Sequence, residues 1–229
     1  MSVVRTCRAP FRKVLGYEKM LDETGGEMHG SGGNSITAEE AFARMGADVM
    51  RRQFCAQPPD RNLLFGFGPA EQIKRELLTL WNSVSFFVSY ANIDGFRPTW
   101  DKLTPSGDLK PLDRWLVERT HAFVRDAEAA YEAYMTVDVM RAYDDYVDEL
   151  SNWYIRRSRR RFWNSEREAL ATLWYALVQT LRVVAPIMPF LTDHLWRNLV
   201  PDGPESVHLS GWPDVAEPVA AQDLRTRPV

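Results

Sequence analysis

The chain has 229 residues, of which 45% are hydrophobic and 26% charged, and its formal net charge is −3. This composition excludes an intrinsically disordered chain, and the length accommodates one large domain or two small ones. No apolar run reaches the roughly 18 residues of a membrane span, and the first residues lack the apolar stretch of a signal peptide. Cys7 and Cys55 form neither a metal spacing nor a disulfide framework. The sequence therefore predicts a cytoplasmic protein without a metal or another cofactor.

The first 60 residues differ in composition from the rest of the chain. Residues 11–21 are β-like and run into a segment dense in glycine and turn formers. This pattern predicts a β-hairpin around Glu23–Gly26, followed by a glycine-rich loop. Thr37 begins a capping-box pattern that predicts a short helix ending at Gly46, and a second short helix is expected over Ala47–Phe54.

Apolar residues at helical spacing dominate the remaining sequence. They predict four long helices and one shorter helix, near residues 69–94, 112–134, 136–154, 165–185 and 190–199. Residues 206–213 are expected to be extended. The predicted fold is all-α, a helix bundle with a small N-terminal β-hairpin and loop. The sequence predicts three regions. Residues 1–60 form an N-terminal remnant with connecting helices, residues 61–213 form the helical bundle, and residues 214–229 form a mobile tail.

An arginine-rich segment at residues 152–163 is the first candidate site. Its five arginines cover about 200° of a helix, while Ile155, Ser158 and Phe162 lie on the opposite side. Guanidinium groups bind phosphates, and indole rings stack on unpaired bases. The candidate RNA-contacting residues are Trp153, Tyr154, Arg156, Arg157, Arg159, Arg160, Arg161 and Trp163.

An alternative interpretation makes these arginines structural. Five carboxylates lie a few residues upstream, and ion pairs with them would neutralise the cluster inside the bundle. They are Asp138, Asp144, Asp145, Asp148 and Glu149. Composition alone leaves both interpretations open.

A glycine-rich loop at residues 27–34 is the second candidate site. Glycine loops that precede helices can wrap phosphates, because their backbone N–H groups point outward. The loop matches neither of the common phosphate-binding glycine motifs and contains no Lys or Arg. A flexible linker is the alternative interpretation.

Eight segments, read in order, resemble the C-terminal part of the isoleucyl-tRNA synthetases. They are VLGYEKMLDETGGEMHGSGGN, EAFARMGADVMRRQFC, NLLFGFGP, LLTLWNSVSFFVSYAN, LDRWL, NWYIRRSRRRFW, APIMPFLTDHLW and SVHLSGWP. The resemblance extends from about Pro10 to Pro213. It implies that the bundle is an anticodon-binding domain of the class I synthetase type. It also implies that the arginine-rich segment contacts tRNA, with isoleucine tRNA as the expected partner.

The same resemblance relates the glycine-rich loop to the signature loop of this family, usually written KMSKS and here of the form MHKSxGN. The corresponding residues are Met28, His29, Gly30, Ser31, Gly33 and Asn34. Gly30 occupies the position of the lysine that stabilises developing charge when ATP is attacked. Loss of such a cation lowers the rate by orders of magnitude, so we expect a degenerate ATP loop and no independent aminoacylation.

Two further departures from the family leave the function open. The nucleotide-binding fold and the editing domain have no counterpart, and Arg52-Gln53 replaces a tryptophan expected to pack near the missing domain. The chain thus resembles a truncated or degenerate paralogue whose status as an enzyme is uncertain. It could be a tRNA-binding module, a part of a ligase that acts with a catalytic partner, or a protein–protein scaffold.

An apolar patch among residues 1–60 could bind a partner enzyme or form a homodimer. The residues named for that patch are Phe11, Val14, Met45, Met50 and Phe54.

Overall fold

Helices dominate the described residues of the computed structural model, which are 9–11, 13–30, 33–105 and 109–215. In chain order they are α1 (Ala38–Arg44), α2 (Ala47–Cys55), α3 (Phe67–Ile93), α4 (Pro111–Glu132), α5 (Thr136–Asp148), α6 (Arg156–Trp163), α7 (Arg167–Val184) and α8 (Pro189–Leu199). A π-helical segment, Glu149–Ile155, joins α5 to α6 without a break. The all-α bundle is confirmed, while most of the predicted tail lies outside the described residues.

The sheet at the N-terminus differs from the prediction. Strand β1 (Met20–Asp22) pairs in parallel with β2 (Leu63–Phe65), which is distant in sequence. The turn expected around Glu23–Gly26 is present, and the returning chain makes a single antiparallel bridge between Leu21 and Glu27 in place of a full second strand. The carboxylate at the end of β1 accepts three hydrogen bonds inside this turn. These local bonds close the turn tightly and leave β1 to pair with β2.

The predicted signals at the helix ends are confirmed. The Thr37 hydroxyl accepts a hydrogen bond from the backbone N–H of Glu40 at 3.2 Å, which caps α1. Gly46 and Gly95 separate α1 from α2 and end α3, with φ angles of 84° and 60° that favour glycine. The segment expected to be extended instead contains a 3₁₀ turn at Val207–Leu209.

The centre of the bundle is α7, which is buried almost all around. Its apolar residues form no single stripe, as is typical of a helix surrounded by others. Helices α4 and α8 both pack against α7, and α4 also packs against α5. Trp174 and Trp196 are the largest fully buried side chains, and burial of each such side chain stabilises the fold by about 2–3 kcal/mol. None of the described helices is long and apolar enough to traverse a lipid bilayer.

Arg52 and Gln53, which replace the tryptophan expected from the resemblance, lie inside the bundle. Their exposed fractions are 2% and 3%. The Arg52 guanidinium forms ion pairs with Glu76 of α3 at 2.7 Å and with Asp144 of α5. We call these three residues the Arg52 cluster. It connects three helices, so the position remains a packing site.

The apolar patch expected in the first 60 residues is smaller than predicted. Phe11 and Val14 are exposed, but Met45 is buried, and Met50 and Phe54 pack against the core. Among the described residues of this region, the other exposed large apolar side chains are Val14, Leu15, Tyr17 and Met20, which follow Phe11 along the chain, and Phe42 of α1. Exposure is therefore concentrated in the segment that leads into β1.

Candidate functional site

The arginine-rich segment forms an exposed ridge on α6 and the preceding π-helical turn. Ile155, Ser158 and Phe162 are buried and anchor the segment to the core, as the helical spacing predicts. The side chains on the other side face solvent. We call this exposed set the arginine ridge: Trp153, Arg156, Arg157, Arg159, Arg160 and Trp163. The ridge therefore presents four guanidinium groups and two indoles on one surface.

The four ridge arginines have no carboxylate within 4.0 Å in the described part of the chain. Three of the five upstream carboxylates pair with other arginines. Asp138 pairs with Arg141 at 2.8 Å, and Glu149 pairs with Arg119. Asp144 belongs to the Arg52 cluster. The alternative of a cluster neutralised by these acids therefore does not apply to the four ridge arginines.

Arg161 has a different environment from its neighbours on the ridge. Its side chain is only 14% exposed, and its two terminal nitrogens donate to Asp113 at 2.7 and 2.6 Å. Its Nε donates to Glu166 at 2.9 Å. The hydrogen bonds to Asp113 raise the pKa of Arg161 well above its usual value, despite partial burial. Arg161 is thus a structural cation, and we correct its prediction as an RNA contact.

Tyr154 is removed from the candidate surface for the same reason. Its side chain is fully buried, and its hydroxyl donates to Asp113 at 2.7 Å. Burial raises the pKa of Tyr154 well above its usual value, so it remains a neutral donor. A ring enclosed by the core cannot stack on a base. We call Asp113, Tyr154, Arg161 and Glu166 the Arg161 cluster.

The two indoles of the ridge differ in their contacts. The Arg157 guanidinium lies 3.7 Å from the centre of the Trp153 ring, a cation–π contact. Trp153 also packs against Trp115, with ring centres 6.5 Å apart. Trp163 is 76% exposed. Arg157 and Trp153 are therefore held in a defined arrangement, whereas Trp163 offers an open ring face.

An uncharged helix face lies beside the ridge. Residues 77–93 of α3 contain no Asp, Glu, Lys or Arg. Between this stretch and the π-helical segment runs a groove of about 440 Å³. It is lined by Asn82, Ser83, Phe86, Ser151, Asn152, Ile155, Arg156 and Arg159. The groove thus contains two arginines and no carboxylate.

The glycine-rich loop is held by one amide side chain. Asn34 accepts a hydrogen bond from the His29 N–H at 3.1 Å and donates to Asp22 and to the Glu27 carbonyl, both at 2.9 Å. At Gly30 a β-carbon would meet no atom within 4 Å. Met28 packs partly against the core and Gly33 adopts a φ of 71°, while Ser31 lies outside the described residues.

The cavity beside this loop is acidic. Its volume is about 340 Å³, and its lining includes Asp22, Glu23 and Glu40. Hydrogen bonds from Thr24, together with those from Gly26 and Asn34, hold the pKa of Asp22 well below its usual range. The nearby Lys19 is engaged with Glu27 at 2.8 Å. The lining therefore contributes three carboxylates and no cation to this cavity.

Among the described residues, no three His, Cys, Asp or Glu side chains converge as ligands for a metal ion. Burial raises the pKa of the Cys55 thiol, which keeps it protonated and unreactive. Burial also lowers the pKa of His121, whose ring contacts the Tyr175 hydroxyl at 2.8 Å.

Two features of the site were missed by reasoning from sequence. Asp113 follows Leu112 and lies one turn before Leu116, on the apolar side of α4, and a carboxylate in that position needs a buried cation such as Arg161. The uncharged stretch of α3 was noted only for its apolar face. Its lack of charge was visible in the sequence, but its position beside the ridge was not.

Comparison with known protein families gives one match within the chain. The profile described as "Anticodon-binding domain of tRNA ligase" matches residues 113–227. Isoleucine–tRNA ligases are also similar to this chain. The protein from Thermus thermophilus is 40% identical over 93% of the chain, and that from Deinococcus radiodurans is 40% identical over 90%. These alignments cover 21% and 19% of the relatives, so the chain spans about a fifth of their length.

A solved structure shares the fold. It is the agnB2 LeuRS of Agrobacterium radiobacter K84 in a ternary complex with tRNA and LeuAMS, and the superposition has a TM-score of 0.66. The match covers 87% of this chain and 23% of the other, with 13% sequence identity. At this identity the likeness concerns the fold alone.

Proposed function

Because the chain belongs to the anticodon-binding domain family of tRNA ligases, we propose that it binds tRNA through the arginine ridge. The observation that carries this proposal is the exposure of four arginines without a carboxylate partner in the described residues. Exposed guanidiniums can bind phosphates without first breaking internal ion pairs. The net charge of −3 does not oppose this, because the positive charge is concentrated locally.

The ridge combines two kinds of contact. Its guanidiniums would neutralise phosphates and release counterions, so the affinity would fall steeply with salt. The open face of Trp163 would stack on an unpaired base, a contact that contributes about 1–3 kcal/mol. Arg157, held over Trp153, would present its charge with little loss of side-chain freedom. Together these contacts suit a loop with splayed bases better than a regular duplex.

Isoleucine tRNA is the proposed ligand, on the basis of the similarity to isoleucine–tRNA ligases. We propose that the loop at residues 28–34 does not bind a nucleoside triphosphate. Gly30 supplies no cation, and the neighbouring cavity is lined by carboxylates. The chain would then contribute recognition of tRNA but no adenylate chemistry of its own.

We propose a separate protein contact at the segment before β1. Phe11, Val14 and Tyr17 expose 68%, 80% and 80% of their surface, which is a high density of apolar exposure for a short segment. Another protein or a second copy of this chain would cover it. Light scattering over a range of concentrations tests self-association, and a monomer at high concentration would exclude the second copy.

The proposed function is tested by removing three ridge charges together. Changing Arg156, Arg157 and Arg160 to alanine should weaken binding to isoleucine tRNA by about tenfold or more at low salt. The plot of log affinity against log salt should become less steep. The magnitude of its negative slope should decrease by about 2, because each lost phosphate contact removes about 0.7–0.9. Filter binding over a salt series measures both quantities.

The matched control variant also removes three positive charges, but at positions outside the arginine ridge. Lys19, Arg141 and Arg197 are exposed cations outside the ridge, each paired with a carboxylate. Their triple alanine variant should keep the wild-type salt slope. Equal losses in both variants would show that only net charge matters, and unchanged affinity in the ridge variant would exclude the ridge as the tRNA contact.

A further inference from the structure

We propose that the cavity between the C-terminal end of α3 and that of α8 binds an apolar α-amino acid in its zwitterionic form. The Arg97 guanidinium would hold the carboxylate of this ligand, and the Asp202 carboxylate would hold its ammonium group. The apolar part of the lining would cover its side chain. The site goes beyond the proposed function, because it includes no residue of the arginine ridge and takes a ligand other than tRNA.

The cavity combines an apolar base with a polar rim. Its volume is about 390 Å³, near the lower end of the range for small-molecule pockets. Phe87 of α3, Phe96 of the following loop and Leu199 of α8 are buried side chains in its lining. The two phenylalanine rings meet edge to face, with their centres 6.4 Å apart. This surface suits an aliphatic or aromatic side chain, because covering it removes apolar area from water.

Two opposite charges line the same cavity without pairing with each other. Arg97 and Asp202 are the charged residues of the lining, and both are exposed. No nitrogen of Arg97 lies within 4.0 Å of an Asp202 oxygen, and neither residue forms an ion pair elsewhere in the described part of the chain. A cavity that keeps a cation and an anion apart offers both of them to a ligand that carries both charges.

Arg97 is held at the rim through one of its three nitrogens. Its Nη1 donates to the Phe96 carbonyl at 3.0 Å and to the Ala91 carbonyl at 3.5 Å. Its Nε and Nη2 have no hydrogen-bond partner among the residues that the structure describes. These two nitrogens form one edge of the guanidinium, and a carboxylate can accept hydrogen bonds from both at once. Arg97 is therefore positioned with a carboxylate-binding edge free.

Asp202 is also held in place with acceptor capacity to spare. Its Oδ2 accepts a hydrogen bond from the Trp100 N–H at 3.1 Å, which joins the loop after α3 to the chain after α8. Asn198 is another lining residue, and its amide nitrogen donates to the His194 carbonyl at 2.8 Å. The amide oxygen of Asn198 remains as a second acceptor. An ammonium group has three donors, so Asp202 and Asn198 would engage two of them.

The test removes one charge at a time from the ligand. The probes are leucine, isocaproate, which lacks the ammonium group, and isoamylamine, which lacks the carboxylate. Leucine should bind with a dissociation constant on the order of 1 mM, and the other two should bind about tenfold more weakly. NMR titration measures the affinities, and shifts of the backbone amide signals of residues 96, 97, 99 and 100 would locate the ligand in this cavity.

The same charges are then removed from the protein. Asp202→Asn keeps an oxygen for the Trp100 N–H and removes the negative charge. It should weaken leucine binding about tenfold and leave isocaproate binding unchanged. Arg97→Gln should abolish the shifts that isocaproate causes and leave those of isoamylamine unchanged. If Arg97→Gln does not fold, Asp202→Asn with the three probes still tests the site.

Two variants serve as matched controls. Asp101 is exposed on the adjoining 3₁₀ turn, Arg75 is exposed on α3, and neither lines the cavity. Asp101→Asn and Arg75→Gln should bind leucine as the wild type does, and circular dichroism should show that all variants are folded. The proposal would be overturned if leucine caused no shifts in the wild type at its solubility limit. Equal losses in Asp101→Asn and Asp202→Asn, or isocaproate binding as tight as leucine binding, would also overturn it.

Discussion

Arg160 and Arg161 are adjacent in sequence, but their environments are opposite. Arg160 is exposed on the arginine ridge and has no carboxylate within 4.0 Å in the described residues. Arg161 is 14% exposed and contacts Asp113 and Glu166. A step of one residue rotates a side chain by about 100° around a helix, which here carries it from solvent into the bundle. The comparison shows that position around the helix, not residue type, separates arginines available to a ligand from arginines that hold the fold.

The Arg161 cluster should produce the largest effect on stability. Asp113→Ala removes a fully buried carboxylate and leaves the Tyr154 hydroxyl and a partly buried guanidinium without that partner. We expect the free energy of unfolding to fall by about 3 kcal/mol. Urea denaturation followed by circular dichroism measures it. The double variant Asp113→Ala, Arg161→Met should recover part of the loss, and a neutral single variant would contradict the structural role.

The Arg52 cluster should give a smaller effect, since Glu76 and Asp144 are partly exposed and can be hydrated. Arg52→Ala should lower the free energy of unfolding by about 2 kcal/mol. Arg52→Met should lower it by less than half as much, because Met keeps most of the buried volume and removes a charge whose Nε has no partner. Urea denaturation of both variants tests this, and equal losses would show that charge pairing rather than packing dominates.

The stability that the Arg161 cluster contributes should depend on pH through the ionisation of Glu166. Hydrogen bonds from Lys110, and then from Arg161, lower the pKa of Glu166 below 4.5. Its stabilising contribution is therefore complete above about pH 4.5 and is lost as the pH falls through the lower pKa of the folded state. Glu166→Gln should be less stable than wild type at pH 7, and the difference should shrink below pH 4.5. Thermal denaturation over this range measures it, and a difference that is constant with pH would contradict the assignment.

The ridge should give the smallest effect on stability. The triple alanine variant of Arg156, Arg157 and Arg160 should unfold within about 0.5 kcal/mol of wild type, because exposed side chains without ion pairs contribute little. Urea denaturation at the salt concentration used for binding measures this. A stability loss as large as that of Asp113→Ala would erase the contrast between the ridge and the Arg161 cluster.

Much of the fold could be predicted because the signals were local. Helical spacing of apolar residues and the caps at Thr37, Gly46 and Gly95 depend on residues close in sequence, and the structure confirms them. The turn at Glu23–Gly26 is a local feature and is present, but the main strand partner of β1 was not predicted, because strand pairing joins distant segments. No local pattern indicates that β1 pairs with Leu63–Phe65.

The candidate site could be predicted only in part, for the same reason. The arginine-rich segment and its buried side were evident from helical spacing, as Ile155 and Phe162 show. The carboxylate that engages Arg161 lies on another helix, at Asp113, and the groove wall at Asn82 lies on a third. Neither is near the segment in sequence.

The helical class, the family resemblance and the local concentration of arginine follow from the amino-acid sequence, because each depends on composition and short-range order. Which arginines are exposed, and which helices border them, depends on how the helices pack. Packing sets the rotation of each helix against its neighbours, and ion pairs such as Arg161–Asp113 form between residues far apart in the chain. The burial of a charge is therefore a property of the assembled bundle and not of the segment that carries it.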